Sequence, residues 1–311
     1  MNDVKQIAVI GSLNIDYFAR VDSLPKPGET IHADRFDLFR GGKGANQAIS
    51  AIRQGCRVVL FGVLGSDDEG AAYREELKKA GVDISRIRKV SGPTGAAFIT
   101  VDRNGENMIV TAAGANQALR REDIARHATI IEDSALVLGQ FEVSFAPLVE
   151  AARLANSRDI PVVINPSPFN PTFPWDEIRT DYAIVNRSEA AELLGFSPGS
   201  SELSHVRQQL HQMRIEHLII TRGADDTLVY RREGEILSVP TLPVLPIDTV
   251  GAGDAFAGCF AARLAMGEPL IDALRAANCA GALTTLGAGA QNPMPDRQRV
   301  DQHIEHLKIQ T

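Results

Sequence analysis

Residues 248–256 read Asp-Thr-Val-Gly-Ala-Gly-Asp-Ala-Phe, a glycine-rich turn leading into a helix with a carboxylate at its start. Free N–H groups and the positive end of a helix dipole make such a turn an anion site. Gly251 and Gly253 let the backbone approach a phosphate closely, with Ala252 between them. A carboxylate next to a bound phosphate repels it, so Asp254 suits a base that takes a proton from a hydroxyl attacking phosphorus. The same residue equally fits a simple helix N-cap.

Three further clusters have matching chemistry. Gly41-Gly42-Lys43-Gly44-Ala45-Asn46 opens a second helix and offers a cation and an amide for sugar hydroxyls, although a plain turn explains the glycines as well. It is not a Walker loop, because Lys43 is followed by Gly44 rather than Ser or Thr. Asn14 and Asp16 leave the first strand on one side and together can grip a vicinal diol, or form an Asx-turn. Glu142 is a further acidic candidate, otherwise a solvated loop carboxylate. Asn186 and Glu189, three apart at a helix start, can reach a nucleotide phosphate or the water shell of magnesium, or cap their own helix. The histidines, His205, His211, His217, His303 and His306 among them, are assigned to solvated faces.

The scaffold these residues need is legible in the alternation of short β-branched runs with longer stretches of helical period. Runs at 7–10, 58–61, 136–138, 162–164, 183–185 and 218–220 are apolar on both sides of the pleat, as in strands covered on both faces. Helical periods occupy 45–54, 69–80, 145–156, 189–194, 203–213, 255–266 and 270–285. The expected fold is therefore α/β, helices on both sides of a mostly parallel sheet, as one domain over 1–311. Segments of about 15–40 and 93–114 break the rhythm as alternating hairpins, with an Asn104-Gly105 turn in the second. They are expected to form a small β-sheet lid or a dimer contact.

In order and spacing, the four motifs resemble the ribokinase-like family of carbohydrate and nucleoside kinases, and the resemblance runs from residue 7 to about 295. It implies a three-layer α/β/α domain with a β lid, ATP as donor, Mg2+, and activation by K+. It further implies transfer of phosphoryl to the 5-hydroxyl of D-ribose, with deoxyribose, a hexose or a nucleoside as alternatives. By that resemblance Asp254 is the general base, and the turn Gly251-Ala252-Gly253 stabilises the moving phosphoryl. Asn14, Asp16, Gly42, Lys43, Gly44, Asn46 and Glu142 line the sugar; Asn186, Glu189, Thr221, Arg222, Gly223, Ala224, Gly253 and Asn278 lie along the nucleotide. The K+ site takes Asp248, Val250, Thr284, Gly287 and Gly289, closed by a loop in which Pro293 replaces the family's usual Ser. Asp226 stands where the family typically has Gly. The two helix starts, at 42–44 and 251–254, are expected to face one cleft, and pairing of two lids would give a homodimer.

Composition bounds the alternatives. The chain has 311 residues, 44% apolar and 23% charged, with a net charge of −7 that argues against nucleic acid or an acidic membrane as partner. No apolar run reaches the ~18 residues a spanning helix needs, and the N-terminal residues carry no signal-peptide pattern. The three cysteines, Cys56, Cys259 and Cys279, lack disulfide or zinc spacing and read as reduced and cytoplasmic.

Overall fold

The computed structural model describes residues 4–197 and 203–308; residues 1–3, 198–202 and 309–311, part of the single-domain reading, lie outside the described residues. The strands are β1 (Gln6–Ile10), β2 (Asn14–Arg20), β3 (Arg35–Gly41), β4 (Arg57–Leu64), β5 (Ile87–Lys89), β6 (Gly95–Val101), β7 (Asn107–Ala112), β8 (Leu136–Gln140), β9 (Val162–Asn165), β10 (Thr180–Asn186), β11 (Ile215–Arg222), β12 (Asp225–Arg231) and β13 (Leu237–Val239). The helices are α1 (Lys43–Arg53), α2 (Asp68–Lys79), α3 (Arg121–Ala125), α4 (Ala128–Glu132), α5 (Phe145–Asn156), α6 (Arg187–Leu194), α7 (Leu203–Gln212), α8 (Ala252–Ala265), α9 (Leu270–Thr284) and α10 (Arg297–Lys308).

Nine strands form the main sheet in the order β13-β12-β11-β10-β9-β8-β1-β4-β5. It is parallel from β11 to β5, while β12 and β13 pair antiparallel at one edge. That edge hairpin escaped the sequence reading because its strands are half exposed and carry charge. Alternate strand residues go to opposite layers. Ile7, Val9, Val58 and Leu60 pack under α1, α2, α8 and α9, whereas Ala8, Ile10, Val59 and Phe61 pack under α3 to α7. Both faces are covered, which is why the runs are apolar throughout. His217 is not on a helical face as expected; it lies on β11, partly buried and stacked on Tyr182 at 4.8 Å. His205 and His211 are exposed on α7, and the side chain of His306 lies outside the described residues.

A separate four-stranded sheet has the order β3-β2-β6-β7. Its two hairpins meet through a parallel β2–β6 pairing, Asp16 opposite Ala97 and Phe18 opposite Ile99. Phe18, Ala97 and Ile99 form a small buried cluster with Phe39 on one face. On the other, Phe36, Phe98 and Val110 are 51–63% exposed, with Tyr17 stacked between Phe36 and Phe98. The β6–β7 turn is closed by the Asp102 carboxylate, which accepts from the N–H groups of Asn104 and Glu106.

Candidate active site

Helices α1 and α8 approach so closely that a Cβ on Gly258 would sit 2.3 Å from the Gln47 carbonyl oxygen, and Ser50 Oγ donates to the Ala255 carbonyl at 2.8 Å. This contact brings the two glycine-rich motifs together. Asn46 Nδ2 donates to Asp254 Oδ2 at 2.9 Å, and Gln47 Nε2 donates to Asp254 Oδ1 at 3.0 Å. Asp254 is thus the third residue of α8 with its carboxylate turned to α1, and not a cap; the cap position is Gly251, at φ 79°. A Cβ there would lie 2.7 Å from Ala290 Cα, so glycine is required twice over, by conformation and by space.

At the start of α8 the Ala252 N–H makes a long contact of 3.3 Å with the Thr249 carbonyl, and the Ala255 N–H closes the first helical bond, onto Gly251 at 2.8 Å. Among the described residues, the N–H groups of Gly253 and Asp254 make no backbone hydrogen bond, so they are the donors available to an anion. Gly253 has no positive φ, and a Cβ there would meet no atom within 4 Å. Neither strain nor packing of the chain accounts for this glycine.

The start of α1 is already occupied by a carboxylate of the chain itself. Glu142 Oε2 accepts from the Lys43 N–H at 3.1 Å, from Ser12 Oγ at 2.5 Å and from Asn14 Nδ2 at 3.4 Å. Its carboxylate therefore occupies the anion position of α1, leaving that of α8 open. Gly42, at φ 88°, lies against β1's exit, where a Cβ would come within 2.6 Å of the Asn14 nitrogen; Gly44 packs equally tightly on Gly11.

Asp16, on β2, is buried over Gly41, whose missing Cβ would be 2.1 Å from the Asp16 carboxylate. Burial, then the neighbouring charges of Glu142 and Asp254, push its carboxyl up to about 7 against a partial offset by Lys43. Burial works against the Lys43 charge, but Asp254, Glu142, Glu189 and Asp16 overcome it and hold the ammonium above the usual lysine range. Five groups from β2, α1, α6, α8 and the loop after β8 thus share one electrostatic neighbourhood.

Two cavities adjoin here. One, of about 220 Å³, is lined by Lys43, Asn165, Glu189, Gly251 and Asp254 among others. The other, of about 370 Å³, is lined by Thr221, Arg222, Gly223, Ala224, Phe256 and Asn278 among others and is largely apolar deeper in. Asn186, Thr221, Thr249 and Gly253 line both. Asn186 and Glu189 form a capping box on α6, each accepting from the other's N–H, while both line the smaller cavity. Asn278 reaches the larger cavity with its amide already engaged, accepting from Thr227 Oγ1 and donating to the Val239 and Pro240 carbonyls. It shapes the wall and anchors the β12–β13 edge. Asp226 accepts from Ser238 Oγ across that same edge, its carbonyl takes Arg222 Nε at 2.6 Å, and it does not line the cavity.

Asp248 holds two loops together. Its Oδ1 accepts from the Val250 N–H at 3.0 Å and its Oδ2 from the Gly289 N–H at 2.9 Å. Thr284 directs its hydroxyl to the Ala280 carbonyl, and Pro293 packs on Gly287. Among the described residues no group of three or more His, Cys, Asp or Glu is placed to hold a metal ion.

Sequence reasoning named no role for Gln47, Asn116, Gln140, Asn165 or Gln291. Asn116 fixes Asn14, donating to its Oδ1 at 2.7 Å and bridging the Leu13 backbone. Gln291 Nε2 ties Asn46 Oδ1 to the Tyr73 hydroxyl. Gln140 and Asn165 end β8 and β9, and a polar residue at the carboxyl end of an apolar parallel strand was the available signal.

The comparisons with known proteins agree with this geometry. Residues 4–297 match the pfkB family carbohydrate kinase description. The chain is 34% identical to the ribokinase of Haemophilus influenzae, covering 97% of this chain and 99% of that one. It is 31% identical to the deoxyribokinase of Salmonella typhimurium, with 97% and 99% covered. The structure of Arabidopsis thaliana ribokinase complexed with ribose and ATP superposes with a TM-score of 0.89 at 27% identity, covering 97% of this chain and 99% of that one. With fold, motif order and a near full-length match in agreement, the chain belongs to the pfkB family of carbohydrate kinases.

Proposed function

We propose that the protein phosphorylates D-ribose at its 5-hydroxyl with ATP as donor. The observation that carries this is the junction of the two cavities, where Gly253 faces both and the adjacent Asp254 lines the smaller one with Lys43. The larger cavity seats the nucleotide along Thr221, Arg222, Gly223, Ala224 and Asn186. The sugar lies against Asn14, Asp16, Gly42, Lys43, Gly44, Asn46 and Glu142, within reach of Asp254. Asp254 takes the proton of the 5-hydroxyl as its oxygen attacks the γ-phosphorus, and the β–γ bridging oxygen leaves with ADP. The α8 N–H groups of Gly253 and Asp254, with the Lys43 ammonium, stabilise charge on the moving phosphoryl.

Asn186 and Glu189, which line the smaller cavity, would meet the water shell of a magnesium ion bound with the nucleotide, which would neutralise charge on the phosphates. Asp248 with the backbone of Val250, Thr284, Gly287, Gly289 and Pro293 would hold a potassium ion, which supplies fixed positive charge behind the anion site. The four-stranded sheet acts as the lid, and its outer face of Phe36, Phe98 and Val110 pairs with a second copy in a homodimer. No described helix is long and apolar enough to cross a membrane, and the three buried, unpaired cysteines suit the cytoplasm.

The deciding experiment measures ADP release across ribose, 2-deoxyribose, fructose and adenosine. Ribose as the best acceptor by kcat/KM supports the reading. Preference for deoxyribose, the substrate named for the Salmonella relative, would replace it with deoxyribose phosphorylation.

The Gly253→Ala substitution separates ligand space from fold. Alanine is the better helix former by about 1 kcal/mol, and its Cβ meets no protein atom within 4 Å. The variant is expected to melt no lower than the parent while kcat/KM for ATP falls at least about tenfold, read by thermal denaturation and steady-state kinetics.

A further inference from the structure

The hydrogen-bond donors on Asp254 are amides, and one of them belongs to a wholly buried relay. Gln47 and Gln140 have no solvent exposure, and Asn165 has little. Gln47 Oε1 accepts from Gln140 Nε2 at 2.6 Å. Its Nε2 supplies two hydrogens, one to Asp254 Oδ1 at 3.0 Å and one to Asn165 Oδ1 at 3.1 Å. Asn165 is fixed in turn because its Nδ2 donates to the Ile184 carbonyl at 2.8 Å. Each amide thus has only one orientation that satisfies its neighbour. A flipped Gln47 would face two oxygens with an oxygen and leave Gln140 opposing its NH2 group, and unsatisfied buried polar groups of this kind cost about 1–3 kcal/mol each.

We propose that Gln47, held in one orientation by Gln140 and Asn165, is a positioning residue that keeps the Asp254 carboxylate aimed at the acceptor hydroxyl. The arrangement has a chemical reason. The Lys43 ammonium shares this neighbourhood with Asp254, but the groups that touch its two carboxylate oxygens are the neutral amides of Asn46 and Gln47. Such donors make directional, charge-assisted hydrogen bonds that fix the orientation of the carboxylate, which a cation attracting it from any side does not. Gln140 Oε1 has no partner among the described residues, and a Cβ on Gly11 would lie 2.0 Å from it, so the relay is fitted into the sheet at a cost in satisfied hydrogen bonds. A side chain serving packing alone would be apolar at this place.

The inference rests on Asp254 acting as the base. Its test uses the full chain with Gln47→Met and Gln140→Met, which keep length and remove the amide. Sugar is kept saturating so that kcat reports the bound complex. For Gln47→Met the expected result is a kcat lowered about ten- to hundredfold, an acid limb of the kcat–pH profile moved up by about one unit, and a ribose KM within about twofold. Gln140→Met moves both readouts the same way by less, and it answers the question should Gln47→Met fail to fold. An acid limb at the parental position in a folded variant overturns the proposal. Asp254→Asn in the same assay separates the two readings. If it keeps parental turnover, the base assignment itself fails; if it is inactive while Gln47→Met matches the parent, only the relay fails.

Discussion

Asp254→Asn is expected to lower kcat by about 10²- to 10⁴-fold, the range for loss of a general base. Both carboxylate oxygens accept from amide NH2 groups, Asn46 on one side and Gln47 on the other. An amide at this position presents one oxygen and one NH2, so one of the two donors loses its acceptor. Neither neighbour can turn to compensate, because Asn46 Oδ1 takes Gln291 and Gln47 Oε1 takes Gln140. The variant should therefore also lose about 1–3 kcal/mol of stability, measurable by urea denaturation. The two effects are separable. Sugar and ATP affinities, read by calorimetry, should change by less than about tenfold, because proton transfer and not binding has been removed. A kcat within threefold of the parent would exclude Asp254 as the base.

The second large effect runs in opposite directions for stability and function. The Asp16 carboxyl is raised to about 7 by burial and by Glu142 and Asp254, against 3.8 for the free group. Between those values the folded chain holds a proton that the unfolded chain has lost. Stability contributed by this proton is complete below about pH 4, declines as pH rises, and is gone above about pH 7. Asp16→Asn removes the dependence. At pH 8 the variant is expected to be more stable than the parent, by up to about 4 kcal/mol at 1.36 kcal/mol per unit, and the difference should vanish toward pH 4. Sugar binding should suffer instead, because hydroxyls that donate to a buried carboxylate gain about 1.5–3 kcal/mol from its charge. Ribose KM is expected to rise about ten- to hundredfold, and the parent's own KM to fall as pH passes upward through 7. Melting curves at pH 4 and 8 beside ribose titrations read both halves; a variant no more stable at pH 8 contradicts the burial argument.

What could be read from the chain and what could not divides along physical lines. Parallel strands such as Val58 to Phe61 advertise themselves because both faces are buried, and the turns at Gly42 and Gly251 because only glycine adopts a positive φ under close backbone contact. The antiparallel β12–β13 edge lacked such a mark, as one side faces water. Within the site, Asp254, Lys43, Asn46 and Glu142 were nameable from residue type and position. Their orientation was not, since it depends on contacts far apart in sequence, Asn46 to Asp254 across α1 and α8 and Lys43 to Glu142 across the β8 loop. For the same reason the capping of α1 by Glu142 was invisible, and Glu142 itself read only as a sugar ligand or a solvated loop carboxylate. Gln140 and Asn165 went unnamed because an isolated amide at a strand end has no chemistry until its neighbours are known.

The four-stranded sheet runs directly into the body, β3 ending at Gly41 and α1 beginning at Lys43, with the Tyr73 hydroxyl donating to the Gly41 carbonyl at that joint. Asp16 stands on the small sheet, Asn46 and Asp254 on the body, and no residue of the small sheet lines the larger cavity. In the proposed reaction a pentose between them would be a strut spanning two bodies, whereas a nucleotide would rest on one alone. The smaller molecule would then set the aperture, and idle consumption of the larger one by water would be restrained by whether that strut is in place.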